Sequence, residues 1–382
     1  MTTLKQLIDQ HCPGGVDYVR LGDVVTIKNG SDWKTQEPGS VAVYGSGGKM
    51  GAKVRIPAST EPSVLLPRKG SLEVQFVDTP FWNIDTAFRT ETDPTRLCMK
   101  YFYYSMKGFN LSEISTSATR PSLTQTALKE LSFPLPPREV QDKIVEYLDT
   151  FAEMCENLDT DIAQRERQFA AYREKLLSVE YLTTRHGPKG VDYVQLGDTS
   201  LSNIGGGTPR RDNPDFWGGD IPWASVGDLT AAGRTLTACR QQITEAGLQG
   251  SSSKMVDTGT LLIATRMSPG LAKLTEIPVA INQDIRALTF KDFINPKFVS
   301  YVLQETRFET NGTIVKSITS KQINEVTIPF PPREVQDEIV AKLDAMQELI
   351  DNLRLERQQR QQQFDHYRER LLSFPKKNTA EV

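Results

Sequence analysis

The sequence predicts a mixed α+β fold in which two globular segments are separated by two long antiparallel coiled-coil helices, related by an internal pseudo-two-fold repeat. Three observations predict it. PLPPREVQDKIVEYLDTFAEMCENLDTDIAQRERQFAAYREKLLS (residues 134–178) returns, without a gap, as PFPPREVQDEIVAKLDAMQELIDNLRLERQQRQQQFDHYRERLLS (residues 329–373). The two copies share roughly 25 identities over about 45 positions, well beyond shared composition. GVDYVRLGD at Gly15 returns as GVDYVQLGD at Gly190. Between these markers the chain turns to glycine, proline, aromatics and short apolar runs, the pattern of strands joined by loops.

The repeated stretch reads as a helix. Pro137 and Pro332 suit a first turn, where a missing N–H is harmless. Glu139 and Glu334 place carboxylates near the positive end of the dipole. Apolar residues then keep a heptad step through Leu148, Phe151, Cys155, Leu158, Ile162, Phe169, Tyr172 and Leu176. The second copy gives Leu343, Met346, Ile350, Leu353, Phe364, Tyr367 and Leu371. Such spacing makes a seam for another helix, and the other copy is the evident partner. Arg165 and Arg360 hold equivalent seam positions, and Arg357 replaces Ile162. These arginines either snorkel to solvent or meet a partner's carboxylate. The second globular segment leads directly into the second helix. If its ends lie close together, the helices are antiparallel and form a rod of about 60 Å with a globular segment at each end.

In chain order, residues 1–14 form a short arm with Leu4, Leu7 and Ile8 at helical spacing, expected near the end of the second helix. Residues 15–133 are the first globular segment and 134–181 the first helical region. Residues 182–189 are a linker, 190–328 the second globular segment, 329–375 the second helical region and 376–382 a disordered tail. The first segment carries VYGSGGKMG (Val43 to Gly51), a hairpin with Lys49 as a candidate phosphate contact. LLPRKGS follows, a strand ending in a tight loop that presents Arg68, Lys69 and Ser71. A helix near Lys100 to Met106 precedes SATRPSLTQ, a polar loop with Arg120 before a helix capped by Ser122 or Thr124. The second segment repeats this plan with about 20 extra residues. It opens on GGGTPRRDNPDFWGGDIPWASVGDL, with Thr208, Arg210 and Arg211. LLIATRMS presents Arg266 and Ser268. Lys316 stands where Arg120 stood, and Thr319 with Gln322 has capping-box spacing.

Composition narrows the function. The chain has 382 residues with 38% hydrophobic and 24% charged residues, enough for two cores. No apolar run is long enough to span a membrane, and the N-terminus lacks an apolar signal core, so a cytoplasmic protein without membrane contact is expected. Four scattered cysteines have neither CxxC nor zinc spacing, which fits a reducing compartment and no metal. Net charge is −3, with about +2 on the first globular segment, −1 on the second and −5 on the first helical region. Nucleic acid would therefore meet the globular segments, while acidic helices suit protein partners or solvent.

At these motifs the chain resembles the specificity subunit of type I restriction–modification enzymes, over essentially its whole length. The carrying residues are GGGTPRRDNPDFWGGDIPWASVGDL, the loops LLPRKGS and LLIATRMS, and the twice-occurring PxPPREVQ leading into a long helix. The first segment lacks the GGTP…W…IPW opening. The resemblance implies two target-recognition domains, each reading one half of a bipartite, asymmetric double-stranded DNA site. The helices would set the spacer and dock two adenine methyltransferase subunits, and motor–nuclease restriction subunits would join. It also implies a non-catalytic chain without a cofactor of its own. S-adenosylmethionine, ATP and magnesium are expected only in the partner subunits. Half-sites are then expected on one DNA face, about one turn (~34 Å) apart.

Enzymatic readings fare poorly. Asn213-Pro-Asp-Phe216 differs by one letter from the motif with which amino-methyltransferases hold a target amino group, but no glycine-rich cofactor loop accompanies it. It reads better as a turn before Trp217. The Gly45–Lys49 run lacks P-loop spacing. Trp82, Trp217 and Trp223 are read as packing residues rather than platforms for flipped bases. Two alternatives stay open: the same module serving a fused methyltransferase–nuclease polypeptide, and a coiled-coil scaffold that never reads bases.

Overall fold

The structure, a computed structural model, describes residues 4–116, 119, 121–186, 191–231, 233, 235–310 and 316–377. The chain divides into two compact units, and the boundary cuts both long helices. One unit holds Met1–Thr160 with Arg354–Val382, and the other holds Asp161–Leu353. Each unit therefore combines one globular segment with about half of each helix.

In the first unit, strand Asp17–Arg20 pairs antiparallel with Ser132–Leu135, so GVDYVRLGD closes against the run that feeds the first helix. A four-stranded sheet runs Val25–Lys28, Ala87–Thr92, Ser63–Pro67, Gln75–Val77 in spatial order. Its central strand Ser63–Pro67 is buried along its whole length, as a strand covered on both faces requires. A three-stranded sheet runs Gly48–Val54, Pro38–Gly45, Phe81–Asn83. The core gathers Val64, Leu66, Phe88, Tyr101, Phe102 and Phe133 beneath the first helix at Val140, Ile144 and Leu148. The terminal arm is helical over Leu4–His11 and joins this core. The residues after the arm meet those after the second helix: Val16 N–H donates to the Pro375 carbonyl at 2.9 Å, and the Tyr18 hydroxyl to the Phe374 carbonyl at 2.8 Å.

The second unit repeats the plan. Asp192–Gln195 pairs with Thr327–Phe330. A five-stranded sheet runs Ser200–Gly205, Ile285–Phe290, Leu261–Ala264, Ala272–Thr275, Thr235–Leu236. A four-stranded sheet runs Gln241–Ile243, Trp217–Ala224, Val279–Ile281, Lys254–Val256. Each sheet has one strand more than its counterpart, at Thr235–Leu236 and Lys254–Val256, which is where the extra residues of this segment go. The expected caps form: the Thr124 hydroxyl accepts from Ala127 N–H, and Thr319 and Gln322 make a capping box. Asn213 accepts from Asp215 N–H and caps the start of the turn Pro214–Phe216 before Trp217, the structural role read for that stretch.

PPREVQ turns out to be a clamp. Gln141 is fully buried, accepts from Cys98 N–H at 2.8 Å, and donates to the carbonyls of Arg96 and Pro136 at 2.9 and 2.8 Å. Gln336 does the same with Asn295 N–H at 2.8 Å and the carbonyls of Phe293 and Pro331 at 3.1 and 2.9 Å. A second bracket follows two turns on. Asp149 accepts from the Tyr104 hydroxyl and the Lys100 ammonium at 2.7 and 2.6 Å. Asp344 takes Tyr301 and Lys297, both at 2.7 Å. Burial first, and the Asp149 carboxylate second, push the Tyr104 hydroxyl well above its ordinary pKa, so it stays a donor.

The long helices are Arg138–Leu177 and Arg333–Leu372. They run antiparallel. Within the first unit Phe151 stacks on Tyr367 with centroids 5.1 Å apart, and Asp159 meets Arg357. Within the second, Arg165, Gln168 and Tyr172 line a hollow with Met346 and Leu349, and the Lys342 ammonium lies 6.0 Å from the Tyr181 ring centroid. The seam is thinner than a full heptad pair of positions. Leu148, Cys155, Phe169 and Leu176 are buried at a seven-residue step, and Leu343, Ile350 and Phe364 answer them. Phe151, Leu158, Met346 and Leu353 are only half-buried. Tyr172 is 51% exposed, outside the seam expected to hold it, and Tyr367 keeps 39% exposure beside Phe151. Arg357 does not snorkel: it grips Asp159 on the facing helix through Nε and Nη2 at 2.9 and 3.0 Å. The first helix breaks at Ser178, and a new helix Val179–His186 occupies much of the expected linker.

Candidate nucleic-acid interface

In the first globular segment Arg68, Lys69 and the hairpin that carries Lys49 converge on Thr86. Strand Ser63–Pro67 ends there, and Arg68 and Lys69 both turn their backbone N–H groups onto the Thr86 carbonyl oxygen, at 2.8 and 3.2 Å. The Thr86 hydroxyl accepts from Ser46 N–H at 3.2 Å, which brings in the tip of the hairpin carrying Lys49. Gln75 seals that junction by donating to the carbonyls of Gly45 and Ser46 at 2.9 and 3.2 Å. Lys69 bridges Ser122, and Leu123 N–H donates to the Arg68 carbonyl at 2.9 Å, so the loop before Thr124 lies along the same edge. Lys49, Lys69 and Ser71 are exposed. Arg68 is half-buried, with Nη1 on the Asp85 carbonyl at 3.3 Å and its guanidinium 5.8 Å from the Phe88 ring centroid. Arg120 lies outside the described residues.

The second segment builds the same frame from other side chains. Thr265 N–H donates to the Asp284 carbonyl at 2.8 Å, Arg266 bridges Ser317, and Ile318 N–H donates to the Thr265 carbonyl at 2.9 Å. Backbone pairing thus makes Arg266 the counterpart of Lys69, Thr265 of Arg68, Asp284 of Thr86, and Ser317 of Ser122. Lys316 consequently takes the place of Pro121 and not that of Arg120, because the bridge partners Ser122 and Ser317 fix the register. Arg266 is 59% exposed, with Nη1 3.5 Å from Asp284 Oδ1, an oxygen that is buried and accepts no hydrogen bond. Thr208 donates to Gln283, which in turn donates to Asp284 at 3.1 Å. Thr208, Arg266, Ser268 and Lys316 are therefore brought into one loop cluster.

The two arginines after Thr208 behave differently. Arg210 stays in solvent and pairs with Asp212 at 2.8 Å, a contact that holds the Asp212 carboxyl below its usual range. Arg211 lies over Trp217 and Trp223, 4.8 and 5.8 Å from their centroids, and is engaged in packing the loop. Trp223 is 2% exposed and donates to the Gly207 carbonyl at 3.2 Å; Trp217 meets it edge-on and donates to Arg210 at 3.1 Å. Trp82 donates to Ser31 at 3.0 Å. These indoles serve the frame. Three frame residues were not singled out from sequence: Thr86, Gln75 and Asp284. Thr86 in PFWNIDTAF and Asp284 in PVAINQDIRAL lie in corresponding stretches of the two segments, a signal that would have found them, whereas nothing in the sequence marks Gln75.

Among the described residues no set of His, Cys, Asp and Glu is arranged to hold a metal ion, and no helix is long and apolar enough to cross a membrane. The arrangement is two polar, cationic loop clusters on rigid sheet edges.

The family model for the type I restriction modification DNA specificity domain matches twice, over residues 13–165 and 188–362. The chain belongs to that family. Its relatives include the EcoR124I/EcoR124II specificity subunit of Escherichia coli, 29% identical over 80% of this chain and 79% of the relative. The EcoprrI specificity subunit of the same species is 30% identical over 48% of this chain and 51% of the relative. The type I S subunit of M. genitalium shares the fold, with a TM-score of 0.61 at 16% identity over 94% of this chain and 96% of that one. A chain described under complex assembly and conformational transition of the type I R-M system gives a TM-score of 0.56 at 17% identity over 94% and 97%.

Proposed function

We propose that this chain is the DNA-specificity subunit of a type I restriction–modification complex, without catalysis of its own, and that each globular segment reads one half of a bipartite DNA site. The observation that carries the reading is the paired frame itself. One backbone arrangement presents Lys69 and Arg68 in the first segment, and Arg266 beside Asp284 in the second. A frame shared by the two segments with exchanged side chains suits two readers of different base sequences, because the major groove gives each base pair a distinct pattern. Arginine held by a carboxylate favours guanine; serine, threonine and lysine nearby suit phosphates. A net charge of −3 means that phosphate attraction from this chain alone is modest, so methyltransferase partners would supply further basic surface. Such partners, and through them S-adenosylmethionine, would dock on the long helices, where Tyr147, Met154, Tyr172, Leu349 and Leu355 stand exposed. Restriction subunits, with ATP and magnesium, would join that complex.

The test is a methylome. The chain is expressed with its methyltransferase partner, and N6-methyladenine is mapped by single-molecule sequencing. One bipartite motif, lost when this chain is deleted, is expected. Arg266→Ala should relax a single position of one half-site, by ~1–3 kcal/mol of discrimination, and leave the other half intact. Methylation of the same motif without this chain would overturn the reading.

A further inference from the structure

Met267 has the conformation and the exposure that serve folding least. It is the only non-glycine residue with positive φ among the described residues, at 62°. Ser268 N–H donates to the Arg266 carbonyl at 2.6 Å, so Met267 sits at the centre of a three-residue turn of the rare, strained hand. There an L side chain brings its Cβ against the following carbonyl. Burial does not offset this, because Met267 is 76% exposed, the most of any large hydrophobic residue among those described.

The other half of the chain shows the unstrained solution. Lys69 bridges Ser122 as Arg266 bridges Ser317, and the next residue in each loop is Gly70 and Met267. Gly70 has φ of 88°. The frame needs a left-handed residue at this point, and the first segment supplies glycine, which adopts it freely. The second segment carries a long apolar side chain there, facing water, between Arg266 and Ser268.

Backbone strain kept without a packing gain points to a contact made outside the folded chain. Resting on the reading of the second segment as a DNA reader, we infer that Met267 is a specificity-determining residue that packs on a thymine 5-methyl group in the second half-site. Its neighbours Arg266, Thr208 and Lys316 offer hydrogen bonds and charge. The thymine methyl is the one apolar group on a major-groove edge, and it needs an apolar partner. A flexible, polarisable thioether conforms to such a group readily. The first reader, with Gly70, makes no such contact.

The experiment uses the complex of this chain with its methyltransferase partner. The wild-type methylome comes first: absence of a bipartite motif would overturn the reader assignment, and this inference with it. Given the motif, Met267→Gly should keep or raise the thermal midpoint, since glycine suits the turn. It should lose discrimination at one thymine of the second half-site, on the order of tenfold, while the first half-site keeps every letter. Met267→Gln, which preserves length, should lose the same discrimination. A duplex with deoxyuridine at that position lacks only the methyl group. It should bind wild type more weakly by a similar factor and Met267→Gly no more weakly than the thymine duplex. An intact motif in Met267→Gly, a lowered midpoint in that variant, or indifference of wild type to deoxyuridine would each overturn the assignment while leaving the reader reading standing.

Discussion

Asp228 is almost wholly buried, yet it stays charged. Burial pushes its carboxyl up. The bonds it accepts from Ser225 N–H and Oγ, at 2.9 and 2.6 Å, and from Arg240 N–H and Nε, both at 3.0 Å, outweigh that and hold it below the usual range. Beside it, burial and then the Asp228 charge push the Cys239 thiol up to about 12, so it is no nucleophile at neutral pH. A carboxyl lowered by folding stabilises the fold above its unfolded pKa of about 3.9, and that contribution is lost as pH falls through the lowered value. Asp228→Asn should therefore be less stable than wild type at neutral pH, and the gap should close as pH drops below about 4. Thermal midpoints of the two proteins across pH 2–7 check this; a gap constant with pH would mean that charge is not what Asp228 contributes. The same logic of side chains committed to the frame explains what sequence reading missed among candidate contacts. Charge alone singled out Arg211, but two indoles lie within reach of it, and tertiary packing decides its role. Met267 carries neither charge nor hydrogen-bonding group, so nothing in its identity marked it; only its φ and exposure do.

At the scale of elements, PxPPREVQ was legible as a helix start, but its reason for repeating was not. Helix signals explain the prolines and the glutamate. They do not explain a glutamine that is fully buried in both copies, because its partners Arg96, Cys98, Phe293 and Asn295 are some 40 residues away in sequence. Gln141→Ala removes one acceptor and two donor bonds from a buried site, at about 1–3 kcal/mol for each group left unpaired. The expected result is a lower unfolding midpoint for the first unit and faster hydrogen exchange at the Cys98 amide, with the Asn295 amide unchanged. Gln336→Ala should reverse the pattern. Unaltered exchange at Cys98 in Gln141→Ala would rule out the clamp. The seam was read correctly in period and too generously in width. A heptad pattern marks which residues face a neighbour, but burial depends on how close that neighbour comes. Here one position in seven is covered, and Arg357–Asp159 fills the place where Ile162 has no apolar counterpart.

For the whole molecule, the internal repeat was the most legible feature, because it needs no physics beyond comparison of the chain with itself. The paired loop frames were legible only as loops: their register rests on backbone bridges such as Lys69–Ser122 and Arg266–Ser317, which local sequence does not encode. The proposed function makes the helices a spacer between two readers, and this has a consequence for their length. Each helix has 40 residues. Seven residues inserted after Thr160, with seven more before Arg354 on the facing helix, keep the heptad register and add about 10 Å. Base pairs along DNA lie about 3.4 Å apart, so the insertion matches up to about three base pairs of extra spacer. DNA also twists over that length, so methylation should slow, and the gap should settle at the longer spacing that costs least deformation. Both half-sites should keep their letters, since neither loop frame is touched. A methylome of the double-insertion variant decides the matter. A longer gap between unchanged half-sites would establish the helices as the spacer, and an unchanged gap in an active complex would place that task in the partner subunits.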